Sequence, residues 1–293
     1  MPQFEIAGLV IDVKSENHES TERMNEFSLN QYRDANLNIS FKSNEFIDVP
    51  QGSIMDDKIN IKWVKKPSGQ SGYYFYTTEE DFGTILALAD IDFDWKNAVL
   101  TCRDFTNKSA EESYSMQTWV YAHVMMGVIF RYNLIHYDGL VIHSSTLKHE
   151  GKGIMFSAPS GTGKSTHVKL WQKYIGEDVI VLNDDTPAVR IISEIPYVYG
   201  TPWSGSSFIH SNDSAPLEAI VLLEQDLENS IRRISNKEAI LKLMPRVFLP
   251  YFDQDMMNKT MTVFEKVISK VPVYVLKCRP DEQAVELVYK CVR

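Results

Sequence analysis

From residue 158 the chain reads Ala158-Pro159-Ser160-Gly161-Thr162-Gly163-Lys164-Ser165-Thr166. Glycines tolerate backbone angles closed to other residues, so successive N–H groups of such a turn can point inward at an anion. A helix starting there adds its dipole and its own unpaired N–H groups. In this pattern Ser160, Gly161, Thr162 and Gly163 cradle a phosphate chain. Lys164 reaches the terminal phosphates as a point charge, and Ser165, with Thr166 beside it, offers a hydroxyl to Mg2+. The first motif position is Ala158 rather than glycine, and it asks for a small residue more than for a special backbone angle. Twenty positions after Lys164 stand Asp184 and Asp185, and His143 precedes the turn. Carboxylates there would hold Mg2+ or accept a proton. The plain alternatives are a solvated Asp-Asp turn and a strand histidine facing solvent or core.

These residues need elements to hold them. The apolar run 154–156 reads as a strand entering the turn, and a helix-forming run leaves it, ending near Gly176. Residues 138–147, a turn at 148–152 and the next strand predict a hairpin that carries His143 toward the phosphates. Residues 179–182 form a continuous apolar run, as in a strand covered on both faces, and its carboxyl end is where ligands bind in open sheets. Adjacent side chains of a strand face opposite ways, so both aspartates serve one site only if the strand turns at its end. Thr186-Pro187 makes that turn plausible. The loop Gly200-Thr-Pro-Trp-Ser-Gly205 reads as a shaped rim. A second buried strand is expected at 217–224, helices at 237–244 and 254–270, a strand at 271–277 and a closing helix at 281–292. Arg232 and Arg233 could meet a phosphate or lie on the surface.

Upstream, residues 109–134 predict a helix buried on most sides, with His123 a packed histidine, joining the two halves. Before it, strands are expected at 4–13, 39–41, 59–64, 73–77 and 98–103, separated by turn clusters at 50–52 and 68–72. The polar segment 15–36 reads as a long loop or a marginal helix. The aromatics at 73–76 fit a half-buried strand better than a stacking surface. The organisation expected is a β-rich N-terminal region, 1–108, as a substrate-binding part, and a catalytic part, 109–293, that includes the connecting helix 109–134.

Composition sets bounds. A net charge of -9 over 293 residues gives no basic field for a nucleic-acid backbone. No apolar run approaches the roughly 18 residues of a transmembrane helix, and the start lacks the pattern of a signal peptide. Cys102, Cys278 and Cys291 are scattered, show no metal spacing and suit a reducing cytoplasm as small buried hydrophobes.

With these pieces in order, residues 139–293 resemble the kinase domain of the HPr kinase/phosphorylase family, a fold shared with the ATP-dependent phosphoenolpyruvate carboxykinases. The resemblance rests on the histidine-bearing strand Gly139-Leu-Val-Ile-His143, the turn Ser160-Gly-Thr-Gly-Lys164-Ser165, and a strand ending in Asp184-Asp185. It implies an α/β P-loop kinase domain, ATP and Mg2+ as ligands, and transfer of phosphate to a hydroxyl. It implies that Asp184 acts as base, that Asp185 with Ser165 holds the metal, and that His143 assists; the two aspartates could be exchanged. The chain departs from the family at Thr166, where HPr kinases usually have glutamate, and in lacking their second signature segment. Its Gly200–Gly205 loop is similar to those of HPr-kinase-like proteins found with peptide-modification genes, including lasso-peptide kinases. The acceptor implied is a serine of a peptide or protein, or a small-molecule alcohol. HPr itself and that family's hexamer are disfavoured, the oligomeric state stays open, and no nucleic acid or membrane partner is expected. A nucleotide-gated peptide-binding protein, or a slow ATPase, is the competing reading. A carboxykinase ranks low, because no clear arginine set for oxaloacetate is present.

Overall fold

The computed structural model describes residues 2–14, 18–58, 60–79, 83–103 and 111–293. They form two units, Met1–Asn133 with Pro250–Asp255, and Leu134–Leu249 with Met256–Arg293. The protein is mixed α/β with a large sheet in each unit.

In the first unit the expected strand at 4–13 is two strands, β1 (Gln3–Ile6) and β2 (Leu9–Lys14). Ala7 and Gly8 between them both take positive φ, 52° and 72°, the hand that a tight hairpin turn requires. A 3-10 stretch, His18–Phe27, occupies part of the polar segment, whose residues 15–17 lie outside the described residues. Then come β3 (Leu37–Asn44), β4 (Ser53–Lys58), β5 (Ile61–Lys65), β6 (Tyr73–Thr78), β7 (Ile85–Ile91) and β8 (Asn97–Arg103). The sheet order is β1-β2-β3-β8-β7-β6-β5-β4. Neither β4 nor β7 is among the expected strands, although β7 lies in the middle of the sheet.

Helix α1 (Glu111–Asn133) packs on β3, β7, β8 and the 3-10 stretch. The units therefore divide after Asn133, whereas the sequence reading draws its boundary at 108/109; residues 104–110 lie outside the described residues. The core of this unit is aromatic. Trp63 stacks on Phe252 with centroids 4.0 Å apart, and Tyr132 meets Trp95 edge-on at 5.5 Å. Tyr73 is buried in the same cluster and donates its hydroxyl to Asp253, so burial and then the carboxylate raise its pKa above the usual phenol range.

The second unit holds β9 (Gly139–Val141), β10 (Ser145–His149), β11 (Lys152–Ser157), α2 (Lys164–Tyr174), β12 (Ile180–Asn183), β13 (Ala188–Ile192), β14 (Ile195–Tyr199) and β15 (Ser214–Gln225). After them come β16 (Ser230–Arg233), α3 (Asn236–Leu243), α4 (Gln254–Lys270), β17 (Val273–Cys278) and α5 (Glu282–Val292). The sheet order is β12-β10-β11-β15-β14-β13-β9, with β17 also on β15 and β16 on β17. Only β11–β15 and β15–β17 are parallel pairs. Alternation along β11 sorts its side chains to two cores. Ile154 and Phe156 pack with Val168 and Trp171 of α2 and with Val285 and Val288 of α5. Met155 joins Leu243 of α3 and Val263, Phe264 and Val267 of α4 on the other face.

Two expectations need correction. The expected hairpin forms with only the second part of its first strand: β10 pairs with β11, turned at Glu150 and Gly151 with φ of 48° and 75°, whereas residues 139–141 pair with β13. His143 lies in the gap between β9 and β10, because Ile142 and His143 bond instead to Val247 and Arg246. The run at 179–182 is not a strand covered on both sides. Strand β12 pairs with β10 alone among the named strands, Asn183 and Leu182 also bonding to His210 and Ser211, and Ile180 is exposed. No helix among the described residues is long and apolar enough to cross a membrane.

Candidate functional site

Strand β11 ends at Ser157, and the turn that follows delivers the chain into α2. Gly161 and Gly163 take φ of 77° and 110°, and nothing lies within 4 Å of a side chain built on either. They are glycines for backbone angle, not for lack of room. No side chain caps the start of α2, so its leading N–H groups face the turn without a side-chain acceptor. Ser160, Gly161 and Thr166 are exposed, and Thr162, Gly163 and Ser165 half-buried.

Lys164 folds inward and is only 8% exposed. Its Nζ lies 3.0 Å from His143 Nε2 and donates to the Ala158 carbonyl at 3.3 Å. Desolvation lowers its pKa, Asp185 opposes that shift, the charge of Arg246 adds to it, and Asp184 opposes it. The His143 backbone is held on both sides: its N–H donates to Arg246 O at 2.8 Å, and its carbonyl accepts from Ser157 Oγ at 2.8 Å. Its Nδ1 lies 2.9 Å from Asp185 Oδ1.

The aspartates are placed by Asn183, the last residue of β12, which is fully buried. Its Oδ1 accepts from Asp185 N at 2.8 Å and from Thr186 N at 2.7 Å. Its Nδ2 donates to Thr201 O at 2.8 Å and Trp203 O at 3.2 Å. This side-chain turn, rather than Thr186-Pro187 by itself, bends the chain so that both acids reach one region. Asp184 Oδ1 accepts from Ser145 Oγ at 2.6 Å, and its N–H donates to Ile209 O at 3.2 Å. The Oδ2 atoms of both aspartates have no hydrogen-bond partner among the described residues. Gly205 allows the 200–213 loop to cross Asp185: a Cβ there would lie 3.1 Å from Oδ2. The same loop exposes Phe208 and Ile209 beside Asp184.

A cavity of about 470 Å3 opens beside the turn, bounded by Ala158 and Thr162, by Glu224 and Gln225 at the end of β15, and by Lys242 and Arg246. Lys242 is paired with Glu224 at 2.7 Å. The Arg246 guanidinium, half-buried in the cavity wall, has no partner among the described residues. Sequence reasoning missed it. The Arg232-Arg233 doublet drew attention instead, yet Arg232 is bound to Glu238 at the exposed edge strand β16. The cysteines take no part: burial pushes Cys102 up to about 12 and Cys278 to about 11, away from thiolate chemistry.

Of the residues singled out in the sequence, His143, Lys164 and Asp185 are joined directly, and Asp184 adjoins them through the backbone. No bond among the described residues links Ser165 to either aspartate. Nor do the described residues include any group of three or more His, Cys, Asp and Glu that would form a protein cage for a metal.

The chain belongs to the family of the SynChlorMet cassette protein ScmC, whose family model matches residues 104–283. No curated protein matches the sequence. Among solved structures, the Hpr(Ser) kinase/phosphatase from Coxiella burnetii is similar over 52% of this chain and 89% of that one, at 10% identity and a TM-score of 0.32. A likeness that weak decides nothing about the chemistry.

Proposed function

We propose that the protein is a Mg2+-dependent kinase that moves the γ-phosphoryl group of ATP to a hydroxyl of a peptide, protein or small molecule. The observation that carries this reading is the convergence of Lys164, His143 and Asp185, from three separate segments, into one string beside a glycine turn and an uncapped helix start. In this reading the turn 160–163 and α2 hold the phosphates as a P-loop, and Thr166 lies on the first turn of that helix. Lys164 and Arg246 face the β- and γ-phosphates from two sides. Ser165 and Asp185 would hold Mg2+, which neutralises charge building on the phosphate oxygens. Asp184 takes the proton of the acceptor hydroxyl, and His143 keeps Lys164 and Asp185 in place. Phosphoryl transfer asks for positioning and electrostatic stabilisation, which these groups supply.

Acceptor recognition we assign in part to the first unit. Its edge strand β4 leaves backbone groups open and exposes Ile54 and Met55, which suits an extended peptide. The cytoplasm is the compartment proposed, since it supplies ATP and reduced thiols.

The test is transfer from γ-labelled ATP with Mg2+ to cell extract, free serine and peptides, with Asp184→Asn as control. Label on one acceptor, absent with the variant, is the expected result. Label in free phosphate alone, or tight ATP binding without turnover, would favour the nucleotide-gated binding protein.

A further inference from the structure

Asp184 and Asp185 are adjacent and keep different company. Asp185 Oδ1 faces His143 Nδ1 and, through that ring, the cation of Lys164. Asp184 Oδ1 accepts a hydrogen bond from Ser145 Oγ at 2.6 Å, and no cation touches it among the described residues. An O–H···O⁻ bond of that length is of the short, strong kind. Ser145 is fully buried, and it stands on a sheet rather than a loop. It pairs with Phe156 of β11, and its neighbour Thr146 pairs with Asn183 of β12. The position of the hydroxyl is therefore set by both flanking strands. A hydroxyl is also a neutral donor, so it fixes the carboxylate plane without placing positive charge beside it.

We infer that Ser145 is a positioning residue. By holding Oδ1 of Asp184 it presents Oδ2 as the oxygen that receives the acceptor's proton. This rests on the phosphoryl-transfer reading and names the atom within it. The acceptor oxygen bonds to the γ-phosphorus while the bond from that phosphorus to the bridging oxygen breaks. ADP leaves with that electron pair, and the acceptor's proton passes to Asp184 Oδ2. Without Ser145 the carboxylate is free to rotate, and a misplacement of about 1 Å lowers a rate on the order of 10²-fold.

The experiment compares wild type with Ser145→Ala, Ser145→Cys, Ser145→Thr, Asp184→Asn and the double variant Ser145→Ala/Asp184→Asn, each checked by thermal melting. Ser145→Ala, or Ser145→Cys should the alanine variant not fold, is expected to lower kcat roughly 10–100-fold with KM for ATP nearly unchanged. Ser145→Thr, which keeps the hydroxyl, restores most of the rate. In the Asp184→Asn background Ser145→Ala has no further effect, because the two act as one unit. Wild-type kcat without the hydroxyl, or multiplying effects in the double variant, overturns the inference. If the wild type transfers no phosphate at all, the kinase reading fails separately. Crystals of Ser145→Ala then judge the clamp, and an Asp184 carboxylate still in its wild-type orientation overturns it.

Discussion

Lys164 Nζ lies 3.0 Å from Nε2 of His143, and the opposite ring nitrogen of the same imidazole lies 2.9 Å from Asp185. An ammonium only donates and a carboxylate only accepts, and the tautomer with its proton on Nδ1 offers each of them a matching ring nitrogen. His143 is thus the spacer that keeps the lysine and the aspartate apart yet coupled. Replacing it with alanine removes both bonds, and the transfer rate is expected to fall roughly 10²-fold while ATP still binds. Steady-state kinetics beside calorimetry separate the two effects. Loss of binding alone would make His143 a ligand contact rather than a spacer.

Lys164→Ala is expected to discriminate between nucleotides. A charged hydrogen bond to phosphate is worth about 1.5–3 kcal/mol, which is roughly 10–100-fold in Kd. ATP affinity should fall by that factor and adenosine affinity should not change, because the lysine stands at the turn rather than deeper in the cavity. Equal losses for both ligands in calorimetry would point to a collapsed turn.

Arg246 lines the cavity beside the turn, and its guanidinium has no partner among the described residues. Its backbone carbonyl serves His143, so a side-chain substitution leaves that bond intact. Arg246→Ala is expected to lower the transfer rate by on the order of 10³-fold, as loss of an arginine aimed at the transferring group does, with ATP binding retained. Activity near wild type would remove Arg246 from the site.

Asn183 is the hub that bends β12 into the acids. Asn183→Ala would leave the backbone N–H groups of Asp185 and Thr186 and the carbonyls of Thr201 and Trp203 short of a partner. Buried polar groups left unmatched cost about 1–3 kcal/mol each, partly relieved by water, so a loss of about 2–4 kcal/mol is expected. The midpoint of thermal unfolding should drop roughly 5–10 °C. An unchanged melt would mean that Pro187 and the loop hold the turn unaided.

What was legible in the chain was what depends on neighbours in sequence. The turn at 158–165, the strand entering it and the helix leaving it lie in one short stretch, and glycine spacing, apolar run and helix formers all agree there. Helices α3 and α5 each start at a local side-chain cap, Ser235 and Asp281. Misreadings arose where distant partners decide. The single strand expected over 138–147 is split: its second part makes the hairpin with β11, and residues 139–141 are taken by β13, nearly fifty positions on. The apolar run of β12 reads as a covered strand, because its pattern does not reveal that Ile180 is left exposed. Strand β7, apolar at nearly every position, carries no alternation to mark it. Asn183 and Arg246 have no motif around them. Their meaning comes from Thr201 and Trp203 for the first, and from the turn across the cavity for the second.

His167, one turn into α2, gives a prediction about stability rather than turnover. It is 3% exposed, packs on Phe156, and accepts the indole N–H of Trp171 at 3.3 Å. Burial pushes its pKa down to about 4 from an ordinary 6.5. Above that ordinary value neither the folded nor the unfolded chain is protonated here, and the residue contributes its full stability. Between pH 6.5 and 4 the unfolded chain takes up a proton that the folded chain refuses, so stability falls as pH falls through that window. From pH 7 to pH 5 the loss from this one group is expected to be about 2 kcal/mol. His167→Gln keeps an acceptor for Trp171 and has no proton to gain, so its denaturant midpoint should fall less over the same range. Parallel pH profiles for the two proteins would show that His167 is not held neutral by the fold.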